Sequence, residues 1–133
     1  MKKNIIFPYL KVITVDDSPL IADRTESIVR EIEGLKFLGN AFNISCAKSL
    51  INVSKPDVVI LDINLNDDKK NETGIDLLIY LRQNFSQIKT IIFTNHNEAH
   101  YRSICIEKGA NHFFDKSSEA HKITEVLKQW TIQ

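Results

Sequence analysis

Four short, largely apolar runs leave this chain few architectures: Val12-Ile13-Thr14-Val15, Val58-Val59-Ile60-Leu61, Ile91-Ile92-Phe93 and Phe113-Phe114. Each is rich in β-branched or aromatic residues, is bounded by polar or turn residues, and does not alternate with polar positions. Strands covered on both faces read this way, and parallel sheets are the usual place for them. A fifth run, Leu35 to Phe42, alternates in part and follows Gly34, as a less buried strand would.

Helical periodicity fills the intervals. Leu20–Ile32 places Ile21, Ile28, Val29 and Ile32 near one face, behind a Ser18-Pro19 start suited to an N-cap and a first helical position, with Gly34 as the stop. Gly74–Phe85 carries Leu77, Leu78, Leu81 and Phe85, and the last segment spaces Ala120, Ile123, Leu127 and Trp130 by three, four and three residues. Asn43–Val53 and Asn97–Lys108 read as the other two helices. Strand and helix alternate five times, which predicts an α/β fold: a doubly wound five-stranded parallel sheet with helices on both faces.

One domain is expected over 1–133, with a core at about 11–130 and residues 1–10 as an N-terminal extension. The 43% hydrophobic content is enough for a core, and 26% charged residues with few glycines and prolines exclude disordered and collagen-like classes. Lysine plus arginine equals aspartate plus glutamate at 17 each, so a basic nucleic-acid or membrane-surface binder is not expected. No apolar run approaches the roughly 20 residues of a membrane span, and the N-terminus lacks the pattern of a secretory signal. Cys46 and Cys105 match no ligand or redox spacing and read as reduced, mostly buried thiols of a cytoplasmic protein.

Open parallel α/β sheets bind ligands at the carboxyl ends of their strands. The first strand ends in Asp16-Asp17, the third in Asp62, the fourth in Thr94 and the fifth in Asp115-Lys116. A polar residue at one strand end is ordinary; the carboxylates of Asp16, Asp17 and Asp62 with a hydroxyl and an ammonium converging on one edge are not. Carboxylates about 4 Å apart repel by about 4 kcal/mol at an effective dielectric near 20. A hard divalent cation removes the conflict, and Mg²⁺ takes a few carboxylates, a carbonyl and retained waters. One carboxylate is then available as a nucleophile toward phosphorus, with metal and lysine stabilising the transferring group.

The segments Val15-Asp16-Asp17-Ser18-Pro19, Pro56 through Leu65, Phe93-Thr94-Asn95 and Gly109 through Lys116 closely resemble the receiver domain of two-component response regulators, over about residues 11–130. The resemblance implies the flavodoxin-like strand order 2-1-3-4-5. It implies Asp62 as phosphoacceptor, Asp16, Asp17, Asp62 and the backbone carbonyl of Asn64 as Mg²⁺ ligands, and Lys116 as the lysine that meets the phosphoryl group. Thr94 matches the switch hydroxyl and Phe113 the switch aromatic. The implied donor is a histidine kinase or histidine phosphotransfer protein. The implied output face comprises the fourth helix, fifth strand and last helix, toward a separate protein target or a second copy, with no direct DNA or membrane contact.

Several positions depart from the family pattern. The Asp62–Gly74 loop is a few residues longer and has Asn66 where proline is common; Asn95 stands where a small residue is usual, and Ser117 where proline is frequent. Two other functions share parts of the motif set. A Mg²⁺-dependent phosphohydrolase with an aspartyl-phosphate intermediate would need an acid/base carboxylate two residues after the nucleophile, where this chain has Asn64. A pseudo-receiver that binds partners without phosphorylation usually lacks at least one of the five residues present here. His96 and His100 have the spacing of a metal pair but no third ligand, and read as an exposed helix start. The run Asp67-Asp68-Lys69-Lys70 reads as a solvated loop.

Overall fold

A computed structural model describes residues 9–65, 72–96 and 98–132. Among them, five strands and five helices alternate: β1 (Leu10–Val15), α1 (Pro19–Arg30), β2 (Leu35–Ala41), α2 (Ile44–Ser54), β3 (Val58–Leu61), α3 (Gly74–Asn84), β4 (Lys89–Thr94), α4 (Ala99–Glu107), β5 (His112–Asp115) and α5 (Ala120–Trp130). All strand pairings are parallel and the sheet order is β2-β1-β3-β4-β5, as expected for the flavodoxin-like arrangement. The end of the expected N-terminal extension is already strand: Leu10 pairs with Leu35 and donates its N–H to the Gly34 carbonyl at 3.0 Å. The rest of that extension that precedes residue 9, and the loop positions 66–71 with Asn66 and the charged run, lie outside the described residues.

Two apolar cores explain the uniform strands. On one face, Ile13, Val15, Val59, Leu61, Ile92 and Phe113 pack against α2, α3 and α4. On the other, Val12, Val58, Ile60, Ile91 and Phe114 pack against α1 and α5. The three central strands therefore have both faces covered, and alternation is lost because neither face meets water. Edge strand β2 is only half-buried, which is why its run alternated.

The helix starts follow capping chemistry. Ile21 N–H donates to Ser18 Oγ at 3.3 Å, and Cys46 N–H donates to Asn43 Oδ1 at 2.8 Å. Helix α1 stops at Arg30 with Glu31 as its cap, short of Gly34, whose place is in the turn that feeds β2. The thiol expectation holds for Cys105, the buried residue of α4, and is corrected for Cys46, which is exposed on the first turn of α2. Among the described residues no helix is long and apolar enough to cross a membrane.

Strand β2 carries one irregularity. Val12 lies opposite Phe37 but Ile13 lies opposite Gly39, so Leu38 is an extra residue on the β2 side. Such a bulge exchanges the faces of every following residue. Gly39 has φ +145°, a conformation that glycine adopts at little cost. Beyond the bulge, Asn40 stands directly opposite Thr14.

Candidate functional site

Strands β1, β3, β4 and β5 end at one edge of the sheet, and the polar residues predicted for that edge meet there. The ligand atoms of Asp16, Asp17 and Asp62 lie within 4.8 Å of one another. Asp16 and Asp62 are buried while Asp17 is exposed, so the cluster has a dry floor and one side open to water. Lys116 spans the floor: its Nζ donates to Asp62 Oδ2 and lies equally close to Asp16 Oδ2, both at 2.7 Å.

One ammonium facing two buried carboxylates leaves negative charge in excess. Burial pushes the Asp16 carboxyl above its ordinary value, against the hydrogen bonds from Lys116 and the Ser18 N–H, and the neighbouring Asp62 charge adds to the rise. Burial alone would lower the Lys116 ammonium. Its bonds to Asp16 and Asp62 outweigh that and hold it above lysine's ordinary value.

Local backbone fixes each group. Asp16 Oδ1 accepts from Ser18 N–H at 2.9 Å, and Asp62 Oδ1 accepts from Asn64 N–H at 2.9 Å, so both carboxylates are tied to the turn that follows their strand. Asn64 thus meets Asp62 through its amide and is itself exposed. Thr94, fully buried at the end of β4, accepts from His96 N–H at 3.2 Å, and its carbonyl accepts from Lys116 N–H at 3.0 Å.

Phe113 sits deeper, opposite Ile92 in the β4–β5 ladder and 1% exposed. Its ring already fills the interior, with the Arg102 guanidinium 5.0 Å from its centroid. Arg102 also lies 3.4 Å from Glu119, whose carboxylate accepts the Asp115 N–H at 3.0 Å, one residue before Lys116.

Three contributors were not read from the sequence. Gly74 begins α3 so close to the phosphoacceptor candidate that a Cβ there would fall 2.3 Å from the Asp62 carbonyl oxygen. Arg102 and Glu119 join α4 to the β5–α5 turn, and lone charges on helices carry no spacing signal. Asn40 reaches the Asp16 carbonyl from β2; the Gly39-Asn40 pair inside a strand was a bulge signal. His96 and His100 lie against Tyr101, with ring centroids 5.2 and 4.2 Å apart.

With this geometry in hand, a family model described as the response regulator receiver domain matches residues 12–128. The transcriptional regulatory protein CitT of Bacillus subtilis is 26% identical over 121 residues, which cover 91% of this chain and 52% of that protein. The sensory transduction protein LytT of Bacillus cereus is 26% identical over 124 residues, covering 93% of this chain and 48% of its own length. The chain spans about half the length of the curated relatives it matches. Among solved structures, the isolated REC domain of RcsB from Salmonella enterica serovar Typhimurium superposes with a TM-score of 0.82 at 20% identity, covering 94% of this chain and 92% of that one. The response regulator domain of Thermotoga maritima CheB gives 0.77 at 21% identity, covering 91% and 95%.

Proposed function

This chain belongs to the response regulator receiver domain family, the phosphoacceptor modules of two-component signalling, and from that membership we propose that Asp62 is its phosphoacceptor. The observation that carries the proposal is the Lys116 Nζ, 2.7 Å from both Asp62 and Asp16 on the buried floor of the strand-end site. The donor is a phosphohistidine on a histidine kinase or a histidine phosphotransfer protein. The Asp62 carboxylate attacks phosphorus, the new O–P bond forms as the N–P bond breaks, and the electron pair leaves with the imidazole nitrogen. This is group transfer between signalling proteins, distinct from turnover by a classical enzyme.

The donor set suits Mg²⁺. Three hard carboxylate oxygens cluster within 4.8 Å and one side is open to water, which a cation that keeps part of its hydration needs. Asp16, Asp17 and Asp62 would hold it, with the backbone carbonyl of Asn64 as a fourth ligand. Bound there, the cation supplies positive charge against the phosphoryl oxygens. The chain's own groups do the rest. Lys116 exchanges its contact with Asp62 for the phosphoryl group. Thr94 accepts from His96 N–H, which leaves its own hydroxyl proton for a phosphoryl oxygen.

The signal then leaves through α4, β5 and α5. Lys116 and Thr94 are joined by a backbone hydrogen bond, and the Asp115–Glu119–Arg102 chain leads from the lysine to the surface of α4. The receiver is a protein target or a second copy of the chain.

The test is phosphorylation with acetyl phosphate and Mg²⁺. One acid-stable, base-labile phosphoryl group is expected per wild-type chain and none on Asp62→Asn. Phosphorylation of Asp62→Asn at the wild-type rate would refute the assignment.

A further inference from the structure

The acid pair at the end of β1 is held from an unexpected side. Every polar atom of Asp16 has a partner: its N–H donates to the Ala41 carbonyl at 3.0 Å, Oδ1 accepts from Ser18 N–H, and Oδ2 faces Lys116. Its carbonyl accepts from Asn40 Nδ2 at 3.2 Å. That carbonyl lies past the last β1–β2 pair, Val15 with Ala41, so the regular ladder no longer reaches it.

Asn40 takes over because its own orientation is fixed at the other end. Its Oδ1 accepts from the Thr14 hydroxyl at 2.7 Å, and Thr14 is 1% exposed. Thr14 and Asp16 are two residues apart and so project to the same face of β1, and the Leu38 bulge brings Asn40 onto that face of β2. Without the extra residue, Gly39 would stand opposite Thr14 and no side chain would span the gap. One amide thus uses its oxygen on Thr14 and its nitrogen on the peptide that joins Asp16 to Asp17.

We infer that Asn40 is a positioning residue for the cation site: it orients the Asp16–Asp17 peptide so that both carboxylates face Asp62. The inference rests on the reading of Asp16, Asp17 and Asp62 as a Mg²⁺ site. Asn40 touches neither cation nor phosphoryl group and acts through the peptide it holds.

The test compares Asn40→Leu with Thr14→Val by calorimetric titration with Mg²⁺ alone. Both break the Thr14–Asn40 bond, but only Asn40→Leu removes the donor to Asp16. One hydrogen bond of positioning corresponds to about a three- to tenfold rise in the Mg²⁺ dissociation constant for Asn40→Leu. Thr14→Val, which frees one end of Asn40 but keeps the donor to Asp16, should raise it by clearly less than Asn40→Leu does. In the metal-free protein the Asp17 amide resonance, which belongs to the held peptide, should move in Asn40→Leu and stay in Thr14→Val. Asn40→Ala repeats the reading without added bulk. Unchanged affinity in Asn40→Leu, or equal weakening in both variants, overturns the inference, as does failure of both Asn40 variants to fold. A wild-type protein that binds no Mg²⁺ would instead refute the metal-site reading beneath it.

Discussion

Replacing Lys116 with alanine isolates what the buried ammonium does before any cation arrives. Asp16 and Asp62 are each buried against it at 2.7 Å, and their ligand atoms lie within 4.8 Å of one another. At an effective dielectric near 20, two carboxylates at that separation repel by about 3.5 kcal/mol. Removing one partner of a buried ion pair costs about 3–5 kcal/mol, so the two scales agree. The folded variant can escape the repulsion only by protonating one carboxyl. From an ordinary value near 3.9, that costs about 1.5 kcal/mol at pH 5 and about 5 kcal/mol at pH 7.5. Proton uptake therefore caps the loss at pH 5, while the full repulsion remains at pH 7.5.

The expected result is a loss of about 3.5 kcal/mol at pH 7.5, shrinking to about 1.5 kcal/mol at pH 5, in urea unfolding without metal. The sign follows from the direction in which burial already moves Asp16: upward. A carboxyl raised on folding contributes stability below its unfolded value, and that contribution is lost as pH rises through the folded one. The variant should accordingly lose stability, relative to wild type, between the ordinary carboxylate range and neutrality. Mg²⁺ at one hundred times its dissociation constant should return about 2.7 kcal/mol at pH 7.5. A deficit of equal size at both pH values would refute the reasoning. It would assign the cost to lost packing of the lysine stem.

Two further outcomes follow from the geometry. Gly74→Ala sets a Cβ 2.3 Å from the Asp62 carbonyl oxygen, where backbone on both sides prevents relief, so unfolding measurements should show a loss at or above the roughly 1–3 kcal/mol of ordinary overpacking, and acetyl phosphate should modify the variant more slowly. Arg102→Ala removes the cation over the Phe113 ring and a half-exposed pair with Glu119, so stability should fall by no more than about 1 kcal/mol. Its Phe113 ring resonances should broaden or shift by NMR while phosphorylation of Asp62 proceeds at the wild-type rate.

The fold was legible because the doubly covered strands β1, β3 and β4 leave a signal that few other structures produce, and the strand ends held chemistry in a fixed order. Asp16, Asp17, Asp62, Thr94 and Lys116 could be placed at one edge because each directly follows or ends such a strand. The supports were not legible to the same degree. Gly39 inside β2 hinted at a bulge, but which residue is extra and which face Asn40 takes emerge only once β1 and β2 are paired. The closeness of Gly74 to Asp62 depends on how α3 returns after the β3–α3 loop, which no local pattern encodes. Cys46 was misjudged because burial of a helix position depends on which face meets the sheet, and the buried stripe of α2 runs through Ile44, Ala47 and Ile51.

The charge count of the site links its resting and modified states. Three carboxylates and one ammonium sum to about −2, a charge that a largely buried pocket tolerates only because Lys116 bridges the two dry members and Asp17 keeps to water. A divalent cation would bring the sum near zero. Phosphorylation at the proposed acceptor Asp62 would exchange one carboxylate charge for a group of roughly −1.5 to −2, a net change of at most about one unit. With the cation present, that change starts from neutrality; without it, the same change would be imposed on a site already short of positive charge. Lys116 offsets one of the three carboxylate charges, and the proposed cation would offset the other two before a phosphoryl group adds more.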